Sequence, residues 1–277
     1  MEIIIGRESG FCFGVKRAVD GVENEVSSSG KLNCLGEIVH NEVVVKKLMD
    51  KGVVFVDNID EVKDNEYLAI RAHGVPEDVY KKAEERNIKL LDFTCPKVMQ
   101  IHKKIKEASN NGYSIILIGK KEHPETIGSM GYAKDVYVIE DISEIEALPL
   151  FDKVFSIVQT TFSLDKYISI EKKLKEKYSN IVCINSICPS TRNRQEECRK
   201  IAREADFMII VGGKNSSNTK KLFEVACSEC ENCIIIQDEN DKKIEESKKY
   251  DIIGVMSGAS TPMETIDKVV ARINQIN

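Results

Sequence analysis

The chain contains no apolar run approaching the roughly 18 residues of a membrane-spanning helix, so no transmembrane segment is expected. Its first residues lack the charged, then apolar, then small-residue layout of a secretory leader. Blocks of like charge are missing too. The formal net charge of -5 is spread over 277 residues without an acidic or basic tail, which argues against nucleic acid or a membrane surface as a partner. No Gly/Ser-rich or Pro-rich linker interrupts the chain, and a compact body with a shared centre is expected. These absences together predict a cytoplasmic protein.

Against them stand 42% hydrophobic residues, enough for real cores, and nine cysteines. An odd number of thiols in a chain this long, expected inside the cell, does not read as a disulfide framework. Some of the cysteines should be metal ligands and the rest small core residues. Their spacing carries the argument further. Cys12 and His40, Cys95 and His123, and Cys188 and Ser216 are each 28 positions apart. In every case the cysteine follows an apolar run (EIIIGRESGF, IKLLDFT, NIVCINSI) and opens a helical pattern. The second residue of each pair closes the next apolar run and opens another helix.

Short β-branched apolar strands alternating with helices of period 3.6 predict an α/β fold of three pseudo-repeated units, each a small parallel sheet with helices on its faces. The expected units are 13–94, 95–187 and 188–277, the last completed by the N-terminal strand within 1–12. In open α/β sheets ligands sit beyond the carboxyl ends of the strands, where helix N-termini also point. The repeat places there Cys12, His40 and His73, then Cys95, His123 and Thr160, then Cys188, Ser216 and Ser260. Three thiolates from distant positions are what an iron–sulfur cluster with one iron left open for chemistry would need. Three of the four histidines occupy strand ends, and His102, inside a helix, reads as a surface residue.

Asn215-Ser216-Ser217-Asn218 is in isolation a helix N-cap, and after the strand MIIVGGK it can also wrap an oxyanion. Glu125 either complements its helix dipole or, beside a bound polyanion that raises its pKa, serves as a general acid. Cys227, Cys230 and Cys233 have the spacing of a ferredoxin run without its fourth cysteine and proline. They bridge a helix end and a strand, where one or two thiols should be buried. Cys34, Cys183 and Cys198 read as packing.

The segments GFCFGVKRA, GEIVHNE, RAHGV, DFTCPKV, KKEHPETIG, QTTFS, NRQ after Cys188, GGKNSSNT and GASTP resemble the 4-hydroxy-3-methylbut-2-enyl diphosphate reductase family over nearly the whole chain. The resemblance implies a trefoil of three α/β units around a 4Fe-4S cluster held by Cys12, Cys95 and Cys188, with one open iron. It further implies that His40, His73, His123, Thr160, Asn193, Ser216, Ser217, Asn218 and Ser260 bind an allylic diphosphate substrate. Glu125 with Thr160 would be catalytic, supplying the proton that lets the hydroxyl leave as water. A low-potential electron donor such as ferredoxin or flavodoxin would feed the cluster. Met256, Ser257 and Tyr132 depart from the residues expected at their positions, and CSECENC is not a family feature. Two other readings compete: an electron carrier built on CSECENC, and a zinc hydrolase built on the three strand-end histidines.

Overall fold

Every strand pairing among the described residues is parallel, so consecutive strands of one sheet are joined by crossovers that return the chain to the same end of that sheet. The structure is a computed structural model and describes residues 1–276. Among these residues the strands form three four-stranded sheets with one plan. The first contains β2 (Leu32–Leu35), β3 (Val53–Val56), β4 (Tyr67–Ile70) and β5 (Lys89–Asp92) in the order β3-β2-β4-β5. The second repeats it as β7-β6-β8-β9, from β6 (Ser114–Ile118), β7 (Val136–Ile139), β8 (Val154–Val158) and β9 (Ile181–Ile184). The third uses β10 (Phe207–Val211), β11 (Cys233–Ile236) and β12 (Ile252–Ser257), and its fourth place is taken by β1 (Glu2–Ile5). Glu2 to Ile5 lie in register beside Ile252 to Val255, so the N-terminal strand completes the third sheet, as the repeat predicts.

The β-branched runs form strands because both sheet faces are covered, and alternate residues then feed opposite cores. In the second sheet Ile116 and Ile118 pack with Tyr167, Ile170 and Leu174 of α6 (Leu164–Lys177). Ile115 and Leu117 pack on the other side with Ile101, Ile105 and Ala108 of α4 (Pro96–Asn110). The third sheet is built alike. Ile209 and Val211 meet Ile266, Val269 and Ile273 of α9 (Met263–Ile276), whereas Met208 and Ile210 meet Cys198 and Ile201 of α7 (Pro189–Glu204) and Leu222 of α8 (Ser217–Glu229). In the first sheet Leu68 and Ile70 pack with Ala83 of α3 (Glu77–Glu85).

By packing, the chain divides into two units. One comprises 1–16, 39–47 and 189–277 and carries the third sheet; the other comprises 17–38 and 48–188 and carries the first and second. No helix among the described residues is long and apolar enough to cross a membrane.

His102 corrects the sequence reading. It is not a surface residue but 4% exposed, stacked on Tyr132 with ring centroids 4.2 Å apart. Burial pushes its pKa down to about 4, partly offset by the charge of Asp92. The helix explains this: Val98, Ile101, Ile105 and Ala108 define the buried stripe of α4, and His102 stands on it.

Candidate active site

In the unit that carries the first two sheets, the loop after β6 leads into α5 (Pro124–Met130). His123 caps this helix, its Nδ1 accepting from the Glu125 N–H at 3.2 Å. With Nδ1 acting as acceptor, the neutral ring carries its proton on Nε2, which makes that edge a donor. The ring stands edge-on to His73, with centroids 5.3 Å apart and planes at 85°. Helix α5 lies against the loop that holds His73 because Gly128 brings no side chain there: a Cβ would meet the Gly74 backbone at 3.3 Å. Gly74 itself has φ +73, a left-handed backbone that glycine adopts without strain.

Glu125 is 2% exposed. Its Oε1 accepts from the Thr160 N–H at 2.7 Å and its Oε2 from the Thr160 hydroxyl at 2.6 Å. Burial raises the carboxyl pKa to about 7, and the two bonds from Thr160 pull the other way without cancelling it. A bound polyanion is therefore not required for the rise, as the sequence argument supposed; desolvation already makes this carboxyl a proton donor near neutrality. The Thr160 carbonyl accepts in turn from the Cys188 N–H at 2.9 Å, so one residue ties the acid to a cysteine.

That last bond belongs to a threefold pattern. The Cys95 N–H donates to Ala72 O at 3.0 Å and, in the other unit, the Cys12 N–H donates to Ala259 O at 3.2 Å. Ala72, Thr160 and Ala259 each stand two residues past the end of β4, β8 or β12. Each cysteine is thus anchored by the same bond to the same position of its own sheet. The pattern also resets the register of the repeat, because the residue matching His73 and Ser260 is Thr161 rather than Thr160. Thr161, which the sequence reading passed over, accepts from Gln159 Nε2 at 2.9 Å.

The unit that carries the third sheet holds the polar cradle. Gly213 follows β10 and runs against the His40 backbone, where a Cβ would come 2.4 Å from the His40 carbonyl oxygen. The Ser260 hydroxyl donates to that same oxygen at 3.3 Å. Ser216 caps α8, its Oγ accepting from the Thr219 N–H at 3.3 Å, and no acidic residue occupies the first turn, leaving its positive end open to an anion. Ser217 is the first residue of this helix. Asn218 is 3% exposed, yet both its amide nitrogen and its amide oxygen are buried without a hydrogen-bond partner. Two buried amide atoms without partners leave hydrogen-bonding capacity that a ligand at the start of this helix would satisfy.

The structural role of two residues of this unit, Arg194 and Ser257, escaped the sequence reading. Arg194 is buried on α7 and donates to Gly10 O at 2.8 Å and Ser257 O at 3.3 Å, while the Ser257 hydroxyl accepts from the Gly10 N–H at 2.8 Å. Together they hold the loop leading into Cys12. The signal was present, since Arg194 shares the helical face of Cys198 and Ile201 at i, i+4 and i+7. Asn193, beside it, is exposed on α7.

None of the nine cysteines forms a disulfide, and their surroundings sort them. Cys34 and Cys198 are sealed in the core, where burial pushes both thiols up to about 12. Cys12, Cys95 and Cys188 are partly accessible, each next to a helix start. Three accessible sulfurs on identically anchored backbone fit the donor set of an iron–sulfur centre. The sealed thiols do not.

Residues 3–274 match the profile of the LytB protein family. Relatives named 4-hydroxy-3-methylbut-2-enyl diphosphate reductase include one from Clostridioides difficile, 39% identical over 281 residues that cover 100% of both chains. Another, from Campylobacter hominis, is 39% identical over 276 residues and covers 99% of each. Among solved structures, the E-1-hydroxy-2-methyl-but-2-enyl-4-diphosphate reductase of Plasmodium falciparum is similar with a TM-score of 0.94 at 32% identity, over 98% of this chain and 87% of that one. A second, an (E)-4-hydroxy-3-methyl-but-2-enyl diphosphate reductase described as the terminal enzyme of the non-mevalonate pathway, aligns over 100% of both chains at 34% identity and TM-score 0.73.

Proposed function

Because the chain belongs to the LytB family, we propose that it reduces 4-hydroxy-3-methylbut-2-enyl diphosphate to isopentenyl and dimethylallyl diphosphate. The carbon–oxygen bond of the allylic hydroxyl breaks, two electrons and two protons enter, and one water leaves. The observation that carries this reading is the acid pair: a buried carboxyl with a pKa near 7, hydrogen-bonded through both oxygens to the threonine that anchors Cys188.

Cys12, Cys95 and Cys188 are the proposed ligands; each stands at the boundary that opens one of the units 13–94, 95–187 and 188–277, the last completed by residues 1–12. A 4Fe-4S cluster held by these three thiolates would supply the electrons for the reduction. The remaining chemistry belongs to side chains. The open N-terminus of α8, the serine hydroxyls of Ser216, Ser217 and Ser260, the Asn218 amide and the donor edges of His40, His73 and His123 bind the diphosphate. An anion needs this concentration of donors in a chain of net charge -5. Thr160 stands between acid and substrate: its hydroxyl, bonded to Glu125, passes the proton that turns the departing hydroxide into water. The second proton goes to carbon.

A low-potential donor of the ferredoxin or flavodoxin kind is the proposed electron source, and the cytoplasm the proposed compartment. The test is product analysis after anaerobic incubation of iron-loaded protein with the diphosphate substrate and a low-potential reductant. Both five-carbon diphosphates are expected. Release of inorganic phosphate, or no product from fully loaded protein, would overturn the assignment.

A further inference from the structure

The peptide that joins Thr94 to Cys95 is gripped at both ends. Its N–H, that of Cys95, donates to Ala72 O at 3.0 Å, and its carbonyl, that of Thr94, accepts from Arg17 Nη1 at 3.0 Å. Arg17 Nη2 reaches the Asp92 carbonyl at 3.3 Å, so one guanidinium forks across two carbonyls of the run into the cysteine. Within that run the Asp92 carboxylate accepts from the Thr94 N–H at 2.9 Å. Arg17 belongs to α1 (Phe13–Ser29), and one turn further on Gly21 lets this helix lie against Phe93, since a Cβ there would overlap the ring. A peptide is planar, so bonds on its N–H and its C=O together fix its rotation about the chain. On the far side of Cys95 stands Pro96, which confines the residue before it to extended ψ, and Cys95 has φ -60 and ψ 133. The direction of the Cys95 side chain is thus set by a proline ring on one side and by two hydrogen bonds on the other. The bond to Ala72 has counterparts at Cys12 and Cys188; the Arg17 fork is additional. In the other unit Arg194 makes a related grip on Gly10 O, one peptide further from its cysteine.

We propose that Arg17 is a positioning residue for Cys95: it holds the Thr94–Cys95 peptide in the orientation that presents the thiolate to the cluster, an inference that rests on the ligand role given to Cys95 above. Without the fork, the run from Asp92 to Cys95 loses both of its bonds to α1, and the peptide keeps only the bond to Ala72. The thiol then samples directions that the folded chain now excludes. Arg17 is itself exposed and takes no part in the apolar cores, so its replacement acts on this segment and not on the packing of the sheets.

The test compares Arg17→Met, which keeps the aliphatic stem and removes the donors, with Arg17→Lys, which keeps the charge but lacks the fork that spans two carbonyls. In the full-length, iron-free chain, alkylation by iodoacetamide is followed at each cysteine by peptide mass spectrometry. Cys95 should react about tenfold faster in Arg17→Met, the weight of the charged hydrogen bonds lost, and about threefold faster in Arg17→Lys. Cys188, anchored in the same unit by its own bond to Thr160, should change by less than about twofold in both. In protein loaded anaerobically with iron and sulfide, release of iron to a chelator should quicken about tenfold in Arg17→Met, with Arg17→Lys between it and the wild type. An arginine that merely stabilised the fold would lower the denaturant midpoint and raise the reactivity of Cys95 and Cys188 alike. That result, or an unchanged Cys95, would overturn the positioning role. A selective rise at Cys95 with unchanged iron release would instead overturn its place among the cluster ligands, so the two failures are told apart.

Discussion

Replacing Glu125 by glutamine separates its chemical role from its structural one. Glutamine fits the same space, and its amide can satisfy Thr160 completely: Oε1 accepts from the Thr160 N–H and Nε2 donates to the Thr160 hydroxyl oxygen, which changes from donor to acceptor. The variant loses only the ionisable proton. In the folded wild type the carboxyl titrates at about 7 instead of its ordinary 4.5. The folded state therefore binds this proton more tightly than the unfolded chain, and stability declines as pH rises from about 4.5 through 7. The full difference corresponds to roughly 3 kcal/mol. Between about pH 5 and pH 8, the stability of the wild type relative to Glu125→Gln should fall by about 2–3 kcal/mol, read from denaturant titrations of both proteins. Anaerobic turnover should fall by about 10²- to 10⁴-fold with iron content and substrate binding retained. The wild-type rate should also decline above about pH 7 as the acid loses its proton, a limb absent from the variant. Two stability curves that run parallel across this window would refute the buried-acid argument. Turnover of the variant above half the wild-type rate would refute the proton-donor role.

Serine at any of Cys12, Cys95 or Cys188 should abolish the iron–sulfur absorbance and activity, whereas Cys34→Ala, which removes a sealed thiol, should leave iron content unchanged; elemental analysis decides. Asn218→Ala removes two unpartnered buried polar atoms, so stability should hold or rise by up to about 1 kcal/mol while substrate affinity falls about tenfold or more, measured by calorimetry. Loss of stability without loss of affinity would mark the amide as structural. His102 is held neutral, with its pKa depressed to about 4, so the unfolded chain binds its proton first and stability drops as pH falls from about 6.5 to 4. His102→Phe, which keeps a ring on Tyr132, should flatten that acid limb by up to about 3 kcal/mol; an unchanged limb would place the acid sensitivity elsewhere.

The three cysteines were legible in the sequence because a βα unit of constant length returns equivalent residues to the same end of every sheet, and a 28-residue spacing records that length. The polar cradle was legible for the same reason. What escaped lies in side-chain burial and in strand ends. His102 and Arg194 both sit on helix faces whose apolar neighbours mark them as buried, but their polar identity masks the stripe. The choice between Thr160 and Thr161 depends on where β8 stops, and an apolar run does not state its own last residue. Only the hydrogen bond from Cys188 resolves it. The cause of the Glu125 shift was likewise hidden, because depth of burial is a property of the assembled sheet.

The pairing of β1 with β12 sets an order on biosynthesis. The first strand leaves the ribosome about 12–50 s before its partner, at about 5–20 residues per second over roughly 250 residues, and waits through that interval as a lone edge. Cys12 waits with it, since the carbonyl that anchors its backbone is that of Ala259. Of the three anchored cysteines, the one translated ahead of the other two is then the last to be placed. The three-cysteine set proposed above is therefore complete only once β12 has been translated and paired, and a product lacking β12 would offer an iron donor two anchored cysteines and one adrift.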